Sequence, residues 1–311
     1  MDYAEEIISL SRQIEFEGSI DFDWDFRDVV VAGMGGSGIA GRIFSQLYSK
    51  RPVTLIDSYD IPDFVGPSTF FIAISYSGNT EETISSLQKA MERGARVAAV
   101  SSGGKLIEMV KDAVVIPSGL QPRSAVGYLT VPLLRGAGVL NDDIAAETRD
   151  ELIKIDRDTS NLESEAAELF KGMKIPVILG TKDTEAVSYR WKTQFNENSK
   201  ILAYSSNFPE LNHNDTMALR FTYRKEEFQF FSITTRFTPQ PVMRRIDITA
   251  RICNLNLHRV VGEGMSYVSN IFTLIHKGDY ISYFLARMRG IDPRDVGTIE
   301  ELKKNLREGR T

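Results

Sequence analysis

Cysteine is nearly absent from this sequence. Cys253 is the single cysteine among 311 residues, so the chain can form no internal disulfide. It can form neither a CxxC motif nor a zinc site built from cysteine and histidine ligands. Because a chain without disulfides suits a reducing compartment, we expect the protein in the cytoplasm.

The sequence also lacks long apolar runs and blocks of basic residues. No stretch approaches the roughly 20 apolar residues of a membrane span, and residues 1–6 lack the basic start and apolar core of a signal peptide. The 37 basic and 42 acidic residues are well mixed and give a net charge of -5, which leaves no patch for the phosphates of a nucleic acid. We expect a globular protein that has neither a membrane nor a nucleic acid as its main partner.

The length allows two domains of about 150 residues each, and an apolar fraction of 42% can furnish both cores. In the first half, strand-like runs alternate with helical patterns, which is typical of a parallel, doubly wound sheet. The charged, helix-favouring stretch 141–169 predicts the domain boundary. We therefore predict an α/β fold with domains 1–150 and 151–311. The five predicted strands of the first half are residues 29–32, 53–57, 70–74, 95–100 and 113–116.

Parts of the second half resemble the first. Residues 175–181 look like the first strand and its glycine junction, and residues 228–235 look like the strand that leads into the second loop described below. A strand pattern at 258–261 and a helical pattern at 268–288 complete the similarity. We predict a diverged internal duplication in which the second copy has lost both glycine-serine loops. One half would then bind phosphate and the other would contribute different chemistry.

The first predicted strand runs directly into the glycine-rich stretch 33–38. Glycines let the backbone approach a ligand, and a turn between strand and helix points free N–H groups at an anion. The spacing Gly-x-Gly-x-x-Gly also fits a dinucleotide-binding site, and Asp57 lies near the end of the next strand, where a ribose-binding acid belongs. By itself this stretch leaves open a nicotinamide cofactor, another phosphate ligand, or glycines with only a structural role.

A second candidate for anion binding follows the third predicted strand. Ser75, Ser77 and Thr80 place three hydroxyl groups between a strand and a helix, and Gly78 permits close approach. Helix capping would account for Ser77 or Thr80 alone, but it does not account for the whole stretch. A dinucleotide needs no such second loop, so the pair favours a terminal phosphate. The residues predicted to bind it are Gly35, Gly36, Ser37, Ser75, Ser77 and Thr80.

The pattern Gly-x-Gly-x-Ser-Gly followed by Ser-x-Ser-Gly-x-Thr resembles the sugar isomerase (SIS) domain family. The chain length and further stretches resemble the bifunctional phosphoglucose/phosphomannose isomerases. This resemblance implies two flavodoxin-like SIS domains in tandem, and the interconversion of glucose 6-phosphate and/or mannose 6-phosphate with fructose 6-phosphate. It also implies a homodimer that uses neither metal nor nucleotide. The further stretches are residues 121–125, 195–200, 209–214 and 302–303.

Aldose–ketose isomerisation opens the sugar ring and moves a proton between C1 and C2 through an enediolate. It therefore needs a base, an acid–base group for the ring oxygen and a cation for the developing charge. The resemblance makes Glu197 the base, with a solvated helix glutamate as the alternative. Arg123 follows the fifth strand on the side of the sheet where the two loops emerge. We expect it to stabilise the enediolate oxygens, with a surface arginine as the alternative.

Ring opening has two candidates. His213 lies between two asparagines in a polar turn, an unusual setting for a core histidine, and is the best suited of the three histidines. The resemblance agrees and implies that it reaches the active site of the neighbouring subunit. Lys303 is the second partner by similarity to the family's Leu-Lys ending, although Lys304 is adjacent and lies about 100° away around a helix. A surface histidine and a solvated basic end are the alternatives.

One position departs from the family. Relatives have a threonine soon after Asp-Pro, at a place associated with accepting either C2 epimer, whereas Arg294 follows Asp292-Pro293 here. Thr298 could substitute. The sequence therefore leaves open whether both epimers are accepted.

Two other functions are rivals of isomerisation. A non-catalytic sugar-phosphate sensor would not need Glu197, His213 and Arg123 in matching contexts, and the chain has no basic helix-turn-helix appendage. An NAD-dependent dehydrogenase has Asp57 as its only independent support. Both rivals predict no turnover in a cofactor-free isomerase assay.

Overall fold

The first half of the chain forms one parallel sheet in the computed structural model, which describes residues 2–22 and 25–308. Its strands are β1 (Asp28–Ala32), β2 (Val53–Ile56), β3 (Thr69–Ile74), β4 (Arg96–Ser101) and β5 (Ala113–Val115). The order is β2-β1-β3-β4-β5, and the five predicted strands are confirmed. In this flavodoxin order the connections leave β1 and β3 toward opposite faces, so a crevice opens beyond their carboxyl ends.

The second half forms a four-stranded parallel sheet. Its strands are β6 (Ile175–Thr181), β7 (Tyr204–Phe208), β8 (Phe228–Thr234) and β9 (Leu257–Val261). The order β7-β6-β8-β9 repeats that of the first four strands, as the predicted duplication requires. Two such sheets confirm the predicted α/β fold. The sequence patterns do not reveal β7, because this edge strand is mostly polar.

Both faces of the first sheet are buried, as a doubly wound fold requires. Val29 and Val31 of β1 belong to the main hydrophobic cluster, whereas Val30 and Ala32 belong to a second cluster on the opposite face. The helices are α1 (Tyr3–Ile8), α2 (Leu10–Ile14), α3 (Gly35–Leu47), α4 (Glu81–Glu92), α5 (Lys105–Met109), α6 (Val126–Gly136), α7 (Asp142–Arg157), α8 (Ser160–Gly172), α9 (Glu185–Asn198), α10 (Asp215–Phe221), α11 (Gln240–Cys253), α12 (Tyr267–Met288) and α13 (Gly297–Arg307), with 3-10 turns at Lys182–Thr184, Glu210–His213 and Lys225–Glu227.

The two halves share a core. The charged stretch at the expected domain boundary forms α7 and most of α8, and both helices pack against α12. Residue 150 lies inside α7. The main hydrophobic cluster contains residues of both sheets, such as Ile72 of β3 and Phe231 of β8. Because an apolar interface opposes the relative motion of domains, the two sheets keep a fixed relative position.

Helix α12 packs closely against α9. Trp191 of α9 is fully buried, and its indole N–H donates to the carbonyl oxygen of Leu274, 2.8 Å away. Gly278 permits this approach, because a Cβ atom there would lie 2.3 Å from Trp191 Nε1.

Across the described ranges, no helix has both the length and the apolar character needed to cross a membrane.

An ion pair connects β9 to α8. His258 Nδ1 lies 2.7 Å from Glu165 Oε2, and its Nε2 lies 3.6 Å from Glu168 Oε1. Lys174 Nζ is also 2.6 Å from Glu168 Oε1. The hydrogen bond with Glu165 raises the pKa of His258 above its ordinary value, and burial opposes that rise.

We expect the free energy of unfolding to decrease as the pH rises from about 6.5 through the folded-state pKa of His258. The folded chain keeps this proton to higher pH than the unfolded chain. The contribution of the ion pair is therefore fully present below the unfolded pKa and is lost above the folded pKa. Urea unfolding at a series of pH values measures the effect. In His258→Gln and Glu165→Gln, the free energy of unfolding should fall less steeply with pH than in the wild-type protein. An unchanged pH dependence in His258→Gln would contradict the assignment.

Candidate active site

The loops that follow β1 and β3 lie side by side at the carboxyl ends of these strands. We call residues 33–38 the first loop and residues 75–80 the second loop. The N–H of Tyr76 donates to Ser37 Oγ over 3.1 Å, and Ser37 is buried. Two stretches that are far apart in the sequence therefore form one surface.

The first loop also provides the first turn of α3, which begins at Gly35. Met34, the residue that precedes this turn, gives it no side-chain cap. The amide groups at the start of α3 can therefore meet an anion. Gly36 allows the loop to approach the neighbouring segment, because a Cβ atom there would lie 2.9 Å from the carbonyl oxygen of Pro122 and 3.0 Å from Arg123 N.

The second loop contains the three predicted hydroxyl groups. Ser75 Oγ and Thr80 Oγ1 lie 2.9 Å apart, and Ser75 Oγ also accepts the N–H of Gly78 at 3.1 Å. Gly78 has a φ of +67°, a conformation that favours glycine. Ser77 is exposed. The loop thus combines an internally bonded pair of hydroxyls with one that faces solvent.

Arg123 is buried next to the first loop, and all three of its side-chain nitrogens donate. Nε donates to Asn198 Oδ1 at 2.8 Å. Nη1 donates to Gln121 Oε1 and to Glu197 Oε2, both at 3.3 Å, and Nη2 donates to the carbonyl oxygen of Pro293. Because only 3% of Arg123 is exposed, protein atoms fix the position of this cation.

The ion pair between Arg123 and Glu197 lies at a cavity of about 150 Å³. Glu197 is close to the end of α9, and 31% of its side chain is exposed. The glycines of the first loop line the same cavity, together with Arg190 and Gln194. A candidate anion site, a cation and a carboxylate therefore meet in one place. Such a carboxylate can take a proton from a bound molecule while the guanidinium stabilises the charge that remains on that molecule.

Lys200 is a second cation at Glu197 that the sequence prediction does not include. Its backbone has a φ of +52°, and its Nζ donates to the main-chain oxygen of Glu197 at 2.5 Å. Burial lowers the pKa of Lys200, and the nearby charge of Arg123 lowers it further. The only feature of the sequence that could have indicated Lys200 is that it belongs to residues 195–200, one of the stretches that resemble the isomerase family.

A buried ion pair supports the cavity from α12. Arg190 Nη2 lies 3.0 and 2.8 Å from the two carboxylate oxygens of Asp279, and it also donates to the main-chain oxygen of Arg123 at 3.0 Å. Gln194 donates to the same carboxylate at 2.8 Å. No motif marks these residues, because their partners come from distant parts of the sequence.

His213 and Lys303 lie outside the residues that line this cavity. His213 is the exposed last residue of the turn Glu210–His213, and Lys303 is exposed on α13. Large apolar side chains are exposed just after His213. They are Met217 at 66%, Phe221 at 66% and Tyr223 at 91%. Exposed apolar groups so close together are typical of an interaction surface.

Arg294, which the resemblance places where relatives have a threonine, is directed to α1. Its Nε lies 3.0 Å from Glu6 Oε1, and its Nη2 bonds to the same oxygen. Neither Arg294 nor Thr298 is among the residues that line the cavity. Thr298 is exposed at the start of α13.

Two features bear on cofactors. Asp57, the residue that would favour a dinucleotide, is exposed and lies 3.8 Å from Arg42. The described residues contain one group with the spacing of a metal site, Glu165, Glu168 and His258, whose ligand atoms lie within 4.8 Å of one another. These carboxylates already pair with His258 and with a lysine, and the group does not line the cavity.

Gln46 connects the helix of the first loop to the helix of Glu197. It lies on α3, and its Nε2 donates to the main-chain oxygen of Asp183 at 2.7 Å. Its Oε1 accepts the N–H of Ala186 at 2.8 Å. Ala186 belongs to the first turn of α9, where amide groups have no partner within the helix. The side chain thus caps α9 from α3.

Comparisons with known proteins agree in both sequence and fold. Residues 159–306 match the family described as the bacterial phospho-glucose isomerase C-terminal SIS domain. The chain is 49% identical over 306 residues to a bifunctional phosphoglucose/phosphomannose isomerase of Thermoplasma acidophilum, covering 98% of each chain. It is 35% identical to the enzyme of that name from Aquifex aeolicus, covering 92% of this chain and 95% of that one. The crystal structure of glucosamine-6-phosphate deaminase from Thermotoga maritima shares the fold, with a TM-score of 0.69 at 15% identity and coverage of 94% and 96%.

Gln46→Leu should lower the free energy of unfolding by about 1–2 kcal/mol, because it removes the cap and leaves the Ala186 N–H without its partner. Chemical denaturation measures the loss. Gln88→Leu is a matched control on the exposed side of α4, and it should change stability by less than about 0.5 kcal/mol. Equal losses in the two variants would rule out the capping role.

Proposed function

The chain belongs to the family of bifunctional phosphoglucose/phosphomannose isomerases, which are aldose–ketose isomerases, and from this premise we propose that it interconverts glucose 6-phosphate and mannose 6-phosphate with fructose 6-phosphate. The observation that carries the proposal is the ion pair of Arg123 and Glu197 beside the first loop. It supplies the proton acceptor and the cation that formation of an enediolate requires, next to the loop that would bind the phosphate.

In this proposal the two loops bind the phosphate group. Amide groups at the start of α3 and hydroxyls of both loops are neutral donors, which suit a metabolite that must also leave. Residues 1–150 would carry this phosphate site and residues 151–311 the catalytic glutamate. The proposed phosphate ligands are Gly35, Gly36, Ser37, Ser75, Ser77 and Thr80.

Glu197 takes the proton from C2 of the open-chain aldose and returns it to C1, while the hydroxyl proton on O2 moves to O1, which gives the ketose. Between these steps the sugar is an enediolate, and Arg123 stabilises its oxygens. His213 and Lys303 move the proton to and from the ring oxygen when the ring opens and closes. No step requires a metal or a nucleotide.

We further propose a cytoplasmic homodimer in which His213 enters the neighbouring subunit's active site. The exposure of His213 and its place outside the cavity support this arrangement. The exposed apolar side chains of Met217, Phe221 and Tyr223 would be covered by the partner. Burying them gives the dimer a hydrophobic driving force.

Glu197→Gln should reduce kcat by on the order of 10²- to 10⁴-fold, the usual contribution of a catalytic base. KM should change little, because the phosphate loops remain intact. A coupled assay of fructose 6-phosphate formation, run without nucleotide in the isomerase step, measures both constants with each aldose. Glu185→Gln is a control on the same helix, at an exposed glutamate paired with Lys182, and should keep full activity. Near wild-type turnover in Glu197→Gln would exclude this base.

Mixing two inactive variants tests the shared active site. His213→Ala and Glu197→Gln should each be nearly inactive as pure dimers on the cyclic substrate. If His213 serves the neighbouring subunit, each mixed dimer has one complete site, and an equal mixture should recover about a quarter of the wild-type activity. If both residues act within one chain, subunit exchange should restore nothing. Size-exclusion chromatography with light scattering supplies the oligomeric state for the same samples.

A further inference from the structure

Glu6 is a fully buried carboxylate to which the proposed reaction gives no role. It lies on α1, and none of its surface is exposed. Oε1 accepts from Arg294, and Oε2 accepts the main-chain N–H of Gln121 at 2.9 Å. A buried charge persists only where such partners compensate for the loss of water. Glu6 therefore binds two segments that are far apart in the sequence.

These two segments also hold Arg123. Gln121, whose N–H donates to Glu6, presents its own Oε1 to Arg123 Nη1 at 3.3 Å. Pro293, which precedes Arg294, presents its carbonyl oxygen to Arg123 Nη2. Glu6 Oε2 thus binds the residue whose side chain accepts from the guanidinium, Gln121. Glu6 Oε1 binds Arg294, the neighbour of the other acceptor, Pro293.

We propose that Glu6 is a positioning residue for the isomerisation, and that it acts by keeping the acceptors of Arg123 in place. This inference rests on the proposed function. With Glu6 paired to Arg294 and to the N–H of Gln121, Gln121 and Pro293 are each held where they accept from the guanidinium. Arg123 then presents Nη1 to Glu197 in one orientation. Arg294 belongs to the same arrangement, because a threonine at this position would leave the buried carboxylate without its cation.

The alternative is that Glu6 only anchors the N-terminal helix. That role would change the stability of the fold but would leave the chemistry of the folded enzyme intact. The two roles therefore differ in kcat at temperatures where the variant is fully folded.

Glu6→Gln keeps the size of the side chain and removes its charge. We expect kcat to fall by on the order of 10-fold with both aldoses, because small displacements of a catalytic group are costly, while KM stays within about twofold. Glu15→Gln is the matched control, since it breaks an ion pair with Arg149 elsewhere in the N-terminal region and should keep wild-type constants. Unchanged kcat in a folded Glu6→Gln enzyme would overturn the proposal.

A double-mutant cycle tests whether Glu6 acts through Arg123. Arg123→Lys should itself lower kcat, because a lysine cannot make the same set of bonds. Adding Glu6→Gln to this variant should then cause little further loss, since coupled residues are not additive. The same 10-fold loss in both backgrounds would show that Glu6 acts on something else and would refute the inference.

The Nε–H signal of Arg123 in ¹⁵N NMR spectra gives a readout that does not depend on activity. It is assigned by its disappearance in Arg123→Lys, and it should shift or broaden in Glu6→Gln but not in Glu15→Gln. If Glu6→Gln does not fold, the neutral pair Glu6→Gln/Arg294→Gln replaces it in each measurement. An unperturbed signal would overturn the positioning role. A wild-type chain without isomerase activity, or a Glu197→Gln variant that keeps full activity, would instead count against the proposed function.

Discussion

The site depends on the fixed position of one buried cation. The guanidinium of Arg123 donates hydrogen bonds to the nearby Gln121, to Glu197 and Asn198 at the end of α9, and to Pro293. Because a buried charge without partners is strongly unfavourable, these segments must be in place before the cation is stable there. The candidate active site is therefore complete only when both halves of the chain are packed together.

The same strand order serves different purposes in the two halves. Thr235 and Thr238 follow β8, the counterpart of β3, and both hydroxyls donate to Asp183 Oδ2, at 2.6 and 2.7 Å. Asp183 itself follows β6, the counterpart of β1. A carboxylate of the chain thus takes the donors that a phosphate would use. The second half thus has an internal carboxylate where the first half has its glycine-serine loops, and its helix α9 carries Glu197 next to Arg123.

Local patterns predict the first half well, because glycines and hydroxyl residues that directly follow buried strands are typical of turns that bind an anion. The first parallel sheet, the two loops and their proximity all follow from such patterns, whereas the polar edge strand β7 of the second sheet does not. Local patterns do not predict the contact between Arg123 and Glu197, which are 74 residues apart. That contact depends on how α9 packs against α12. Arg190 and Asp279 carry no motif for the same reason. The function of His213 cannot be read from one chain, because the residue is exposed and its proposed partners belong to another subunit.

Under the proposed reaction, the negative charge next to Arg123 moves but does not change in amount. In the free chain the anion at Nη1 is Glu197, at 3.3 Å. When Glu197 takes a proton from the sugar, the carboxylate becomes neutral and an enediolate oxygen becomes the anion. The bonds to Asn198, Gln121 and Pro293 are untouched, so the guanidinium need not move to follow the charge. A lysine would lack these bonds and would have to reorient. In the proposed reaction, the burial and fixed bonds of Arg123 would therefore matter as much as its charge.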